Sequence, residues 1–180
     1  GAIMKVRMGF EKDGTIAGLD FDTTLDGGAH SSWGLVVMWF TAAMLQLPYK
    51  ISNIRFDGRR VYTNKPTAGC QRGVAAVQLR VAVESLLDEA AEALGINAFE
   101  LRHRNAAETG YKTPSVVSVG HSEFRKCLES VTERSGYLEK RGKLPYGHGV
   151  GLAAGHYSTG GAFLLYRSFR PHSTSNIRID

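Results

Sequence analysis

The sequence predicts an α+β fold, a mixed sheet with helices packed against it. Three observations carry that expectation. Lys5–Phe10 and Ile16–Asp22 alternate apolar and polar residues on either side of Lys12-Asp13-Gly14, and Asp-Gly between two such runs is a strong hairpin signal. Leu79, Val83, Leu86, Leu87, Ala90 and Leu94 recur on one face at helical spacing, which predicts a helix over 75–94. Strand-like and helical segments do not follow a strict β, α, β order, which favours α+β over a doubly wound parallel sheet.

The second strand is expected to run on towards Gly27-Gly28, where the backbone can turn or approach other backbone closely. Ser31 or Ser32 is the expected N-cap of a buried helix over Trp33–Leu45, which Pro48 stops. Residues 49–64 read as extended, in one piece or broken near Asp57-Gly58. The predicted long helix carries Glu84, Asp88, Glu89 and Glu92 largely away from its apolar face and ends at Gly95. Asn97-x-x-Glu100 has the form of a capping box for a short helix over 98–106. Ser122 is placed to cap another, with Phe124, Cys127, Leu128 and Val131 on its apolar face and Gly136 closing it. Residues 141–149 are a linker by composition. Residues 150–161 are expected to form a strand entering a glycine turn, and 176–180 the next strand. The chain starts and stops inside strand-like sequence, so it is expected to be a piece of a longer polypeptide.

Composition narrows the function classes. The chain has 180 residues, 43% of them hydrophobic and 22% charged, enough for a substantial core and unlike a disordered segment. The net charge of +5 is mild, and its Arg55/Arg59/Arg60, Arg102/Arg104 and Lys140/Arg141/Lys143 clusters have no interleaved aromatics, so they read as solvated faces, not a nucleic-acid track. The longest apolar run, Gly34–Leu47, falls short of the ~18 residues a membrane helix needs. Two distant cysteines, Cys70 and Cys127, make neither a disulfide framework nor a Cys-x-x-Cys pair. They point to a reducing, cytoplasmic setting and argue against an iron–sulfur or zinc site within this chain.

The segment "TNKPTAGCQRG", Thr63–Gly73, stands between the extended region and the long helix. Arg72-Gly73 precedes the first helical turn, where free N–H groups and the helix dipole favour an anion. The same arginine could equally tie down its own loop. Asp20, Asp22 and Asp26 alternate on a strand and could hold a cation or be solvated. The six histidines show no helical metal-ligand spacing.

The order of segments resembles the molybdopterin-binding large subunit of the xanthine dehydrogenase/aldehyde oxidase family. The resemblance rests on "KVRMGFEKDGTIAGLDFDTTLDGGAH", "LPYKISNIRFDGRRVYTNKPTAGCQRG", "ESLLDEAAEALGINAFELRHRN" and "TGYKTP". The tail "RGKLPYGHGVGLAAGHYSTGGAFLLYRSFRPHS" looks closest to the large subunit of 4-hydroxybenzoyl-CoA reductase. The resemblance implies a first cofactor-binding domain over 1–144 and the start of a second over 145–180. It places Arg72 beside a molybdenum cofactor, with Cys70, Gln71 and Gly73 as further loop contributors. It puts Val74, Phe40 and Tyr166 in the substrate pocket. Xanthine-oxidising members have an aromatic where this chain has Val74, a glycine at Ala75 and an arginine at Phe40, so the resemblance speaks against xanthine. It implies iron–sulfur clusters and flavin on other domains or subunits, and the rest of the large subunit as a partner. The implied activity is oxidation or hydroxylation of an aldehyde, N-heterocycle or aromatic acyl-CoA by the whole complex. The other reading is a non-catalytic binding or assembly domain sharing the fold.

Overall fold

The computed structural model describes residues 1–115, 117–157 and 178. The hairpin is present: β1 (Ala2–Phe10) pairs antiparallel with β2 (Ile16–Asp26). Its turn is closed by Gly14 N donating to Glu11 O at 2.9 Å and Thr15 N to Asp13 Oδ1 at 2.9 Å. The chain then crosses over through α1 (Gly34–Met44) and returns as β3 (Ile54–Val61), parallel to β2, in the order β1-β2-β3. The sheet is therefore mixed, and its one parallel pair is what requires the helical crossover. The helices α2 (Ala76–Leu94), α3 (Ala98–Asn105), α4 (Phe124–Ser135) and α5 (Tyr137–Lys140) follow.

Alternation along the strands divides the sheet into two faces. Leu19 and Phe21 on β2, with Val6 and Met8 on β1 and Phe56 on β3, pack against Leu79, Val83 and Leu87 of α2. The opposite face is charged. Asp20 meets Arg7 at 2.6 Å and Arg55 at 3.5 Å, and Asp22 meets Arg59 at 3.5 Å. These carboxylates are thus satisfied by guanidinium groups across the strands. Among the described residues, no three His, Cys, Asp or Glu side chains converge as a metal site, and no helix is long and apolar enough to cross a membrane.

Several local expectations are corrected. Of the two readings left open for the extended stretch, β3 runs unbroken through Asp57-Gly58; the glycine lies under α1, where a Cβ would collide with Met38 Sδ and come within 2.7 Å of the Phe56 ring. α1 buries only Gly34, Thr41 and Met44, leaving Trp33, Leu35 and Trp39 exposed, and its N-cap is Trp33 with no side-chain cap. Asn97 caps α3 through Phe99 N at 2.8 Å, but Glu100 pairs with Arg104 at 2.6 Å and does not close the capping box. Ser122 stands one residue before the N-cap of α4, which is Glu123, and its Oγ accepts from Phe124 N at 3.4 Å. Leu128 is buried, whereas Cys127 and Val131 are exposed on the solvent side of the same helix. Residues 150–157 form no strand; Ala154 N donates to the Glu84 carboxylate at 3.0 Å where a strand would have ladder partners. The expected strand over 176–180 lies outside the described residues apart from Arg178.

Candidate functional site

The loop before α2 is built from its base. Arg60, at the end of β3, points its guanidinium under the loop, where Nη2 donates to Gly27 O at 2.7 Å, His30 O at 3.2 Å and Ala68 O at 3.3 Å. Gly27 and Gly34 make room for it: a Cβ on Gly27 would lie 2.6 Å from the Arg60 Cζ, and one on Gly34 would overlap the guanidinium outright. Gly28, at φ +69°, lets the Pro66-Thr67 backbone approach so closely that a Cβ would sit 2.7 Å from Thr67 Cα and overlap Pro66 O. Asp26 fastens the same stretch, accepting from Thr63 Oγ1 at 2.6 Å and Lys65 Nζ at 2.6 Å. The Lys65 and Thr63 side chains and the Gly28 amide hold the Asp26 carboxyl far below the usual carboxylate range. Arg60, expected to be solvated with its neighbours, is in fact the anchor of the loop.

The base is thus secured by Arg60 and Asp26 without the tip. Cys70, Gln71 and Arg72 are exposed, and Gly73 and Val74 are half-buried. Among the described residues the Arg72 guanidinium has no hydrogen bond or ion pair, so it does not tie down its own loop. Among the described residues no side chain caps the start of α2. Free N–H groups of its first turn, the adjoining Gly73 and an uncommitted guanidinium together suit an anionic or oxo-bearing group. Ala75, at φ +63°, takes the left-handed conformation that favours glycine. Ala75→Gly is therefore expected to raise stability by about 1 kcal/mol, read as a shift of the denaturant midpoint; an unchanged or lower midpoint would show that the residue sits there without strain.

Behind the tip, α2 carries a buried polar network. Arg102 of α3 is 0% exposed and donates through Nε to Glu84 Oε2 at 2.8 Å and through Nη1 to Asp88 at 2.8 Å. Tyr49 Oη donates to Glu84 Oε1 at 2.8 Å. Burial, then the Glu84 charge, pushes the Tyr49 phenol far up, which keeps it a donor. For Arg102 burial opposes the charged form, but the Glu84 charge and hydrogen bond outweigh it and the net shift is upward. Asn105 ties the same helix to the hairpin, donating to Gly14 O at 2.8 Å and accepting from Ile16 N at 2.9 Å. The reading of Glu84 and Arg102 as solvated charges is thus overturned. Two charges that neutralise one another can be buried together, and hydropathy periodicity does not register such pairs.

Arg80, one turn before Glu84, is 9% exposed. Its Nη2 donates to Met44 O at 2.6 Å and to Leu47 O, holding the C-terminal end of α1. Among the described residues its Nε and Nη1 have no partner, and burial pushes its guanidinium down to about 10. The segment ending at Tyr157 runs along this helix: Ala154 meets Glu84, and burial together with the Arg80 charge lowers the His156 pKa. Phe40 and Tyr157 stack, centroids 6.4 Å apart and planes 11° apart, with Trp39 edge-on to Phe40 at 5.6 Å. Phe40 is half-buried, and Tyr166 lies outside the described residues. Sequence reasoning missed Arg60, Arg80 and Tyr157; the one signal for Arg80 was its position on the apolar stripe beside Leu79 and Val83.

Residues 1–106 match the molybdopterin cofactor-binding domain family, a span that takes in the sheet, the loop, α2 and α3. The chain is 34% identical over 161 residues to the xanthine dehydrogenase molybdenum-binding subunit of Escherichia coli O157:H7, covering 85% of this chain and 21% of that protein. It is 30% identical over 168 residues to aldehyde oxidoreductase of Megalodesulfovibrio gigas, covering 87% and 18%. The solved aldehyde oxidoreductase from Desulfovibrio gigas superposes with a TM-score of 0.75 at 31% identity, covering 81% of this chain and 16% of that one. The chain thus spans about a fifth of the length of these relatives. With a matched domain that contains the whole anchored loop, the chain belongs to the molybdopterin cofactor-binding domain family, with xanthine dehydrogenase and aldehyde oxidoreductase subunits among its relatives.

Proposed function

We propose that this chain is part of the large subunit of a molybdenum hydroxylase and that the Arg72 loop faces the cofactor. The observation that carries the proposal is the exposed, unpaired guanidinium on a loop whose base is fixed by other residues. Arg72 would supply fixed positive charge and donors, and Gly73 with the first turn of α2 would supply backbone N–H groups. Gln71 and Cys70 contribute loop surface, and Val74, Phe40 and Tyr166 shape the substrate side. Residues 1–144 would form one cofactor-binding domain and 145–180 begin a second. When bound, the molybdenum cofactor supplies two-electron redox chemistry at an electron-poor carbon, with water as the source of oxygen. The protein's own task is to hold that group and orient the substrate. The reaction class is oxidation or hydroxylation of an aldehyde, an N-heterocycle or an aromatic acyl-CoA, with electrons leaving to iron–sulfur and flavin groups on partner domains or subunits in the cytoplasm.

The test is Arg72→Ala in the intact subunit. Loss of one charge-assisted contact, about 1.5–3 kcal/mol, predicts roughly a tenfold or greater weakening of cofactor retention. Molybdenum content by elemental analysis should fall while the unfolding midpoint stays put, because Arg72 holds no structural contact. Full molybdenum content with unchanged turnover would remove Arg72 from the site.

A further inference from the structure

We infer that α1 is a docking helix whose exposed apolar face is covered by the rest of the same polypeptide, the part of the large subunit outside this chain. The inference rests on the proposed reading of the chain as part of such a subunit. Of its eleven residues, α1 buries only Gly34, Thr41 and Met44. Leu35 is 79% exposed, Trp39 42%, and Trp33, at the N-cap, 62%. Leu35 and Trp39 stand four apart and so share a face, which the half-buried Ala42 and Ala43 continue. No charged residue or histidine occurs between Ser31 and Tyr49. A helix this short is marginal in water without packing, and one that is apolar all round belongs inside a protein. Burial of one side on β3 leaves that requirement unmet.

Three observations select the occupant. The chain covers 21% and 18% of the two relatives described above, so about four fifths of such a subunit lies outside it. Polypeptide that follows the linker already docks on this helix: Tyr157 stacks on Phe40, and Trp39 meets the same Phe40 ring edge-on. The open face is therefore continuous with a contact that the chain makes with itself. Size and chemistry point the same way. The exposed parts of Trp33, Leu35, Trp39 and Tyr157 amount to on the order of 400 Å² of apolar surface. That is about half of the ~800 Å² that each partner buries in a standard interface between separate proteins, so it is small for a stable pair of identical copies. It suffices for two parts of one chain, which their connection holds at high effective concentration. A separate redox subunit would be met by a polar, charged rim, and α1 carries no charge at all.

Hydroxyl-radical footprinting of the unaltered large subunit, alone and in its complete complex, tests this by mass spectrometry. Oxidation of Trp33, Leu35 and Trp39 should be lost, relative to the urea-unfolded subunit, in the large subunit alone, and the iron–sulfur and flavin subunits should add no further protection. Oxidation at the unfolded level would overturn the inference. So would protection that appears only when those subunits are added, or that disappears on dilution as a pair of copies dissociates. A photoreactive benzophenone side chain at position 35 of the complete complex identifies the contact directly. Cross-linked peptides should come from the same polypeptide outside residues 1–180. Peptides from another subunit, or from a second copy in isotopically mixed samples, would overturn it. If the large subunit does not survive alone, the cross-link decides. The two readings fail separately. Molybdenum content that depends on Arg72 in a subunit with a fully reactive α1 sinks only the docking role. A protected α1 with molybdenum content indifferent to Arg72 sinks only the cofactor-facing role.

Discussion

Glu84→Ala is expected to cost about 3–5 kcal/mol of folding stability, the range found when one partner of a buried ion pair is removed. Glu84 is 6% exposed and its carboxylate serves Arg102, Tyr49 and Ala154 N at once. Without it two buried guanidinium groups, Arg80 and Arg102, would share only Asp88, half exposed and bonded to Arg102 alone. The Tyr49 hydroxyl would lose its acceptor as well. Glu84→Gln should cost less, because the side chain still fills the space and offers one acceptor oxygen. Denaturant unfolding of the intact protein measures both. A loss below about 1 kcal/mol for the alanine variant would mean that Asp88 and solvent compensate Arg102 unaided. Because Glu84 also holds the segment that carries Tyr157, the alanine variant should loosen the Phe40–Tyr157 stack, visible as a change in tryptophan fluorescence from Trp39.

Gly28→Val should cost about 3 kcal/mol and displace the loop from its seat. Two causes combine. The position has φ +69°, where a β-branched residue is strained by about 1–3 kcal/mol. Its Cβ would also meet backbone, 2.8 Å from Pro66 C, which cannot swing aside as a side-chain end can. The Asp26 contacts to Thr63 and Lys65 are made by the same stretch and should weaken with it. The expected signature is lower molybdenum content although Arg72 is untouched, together with faster backbone amide exchange over 63–68. Normal exchange and normal molybdenum content would show that the loop does not depend on this close approach.

The sequence carried local structure better than burial. The hairpin around Asp13-Gly14, the helix ending at Gly95 and the stop at Gly136 were legible because turn and cap residues act within a few positions. So was the need for close backbone approach at Gly28, within the glycine pair. The parallel direction of β3 was not, because alternation is the same for either direction. Trp33, Leu35 and Trp39 misled, as an apolar helix reads as buried on all sides. Glu84, Arg102 and Arg60 misled in the opposite sense: a charge looks solvated until its partners, here 18 residues away for Arg102 and 33 for the Gly27 carbonyl, are known. At the candidate site, Arg72 was singled out by its place before α2, whereas Arg80 and Tyr157 gain meaning only from three-dimensional neighbours.

The loop divides its labour sharply. Residues 63–68 are fixed by Arg60, Asp26 and three glycines, while Cys70, Gln71 and Arg72 are exposed and, on the proposed function, face the cofactor. Such a division separates the evolution of specificity from the maintenance of the fold. If the loop faces a cofactor as proposed, drift at Cys70, Gln71 or Val74 would alter that site at little cost in stability, whereas drift at Gly27, Gly28 or Arg60 is closed off by their contacts. A lineage built this way can change its chemistry at the tip many times over and keep the same pedestal.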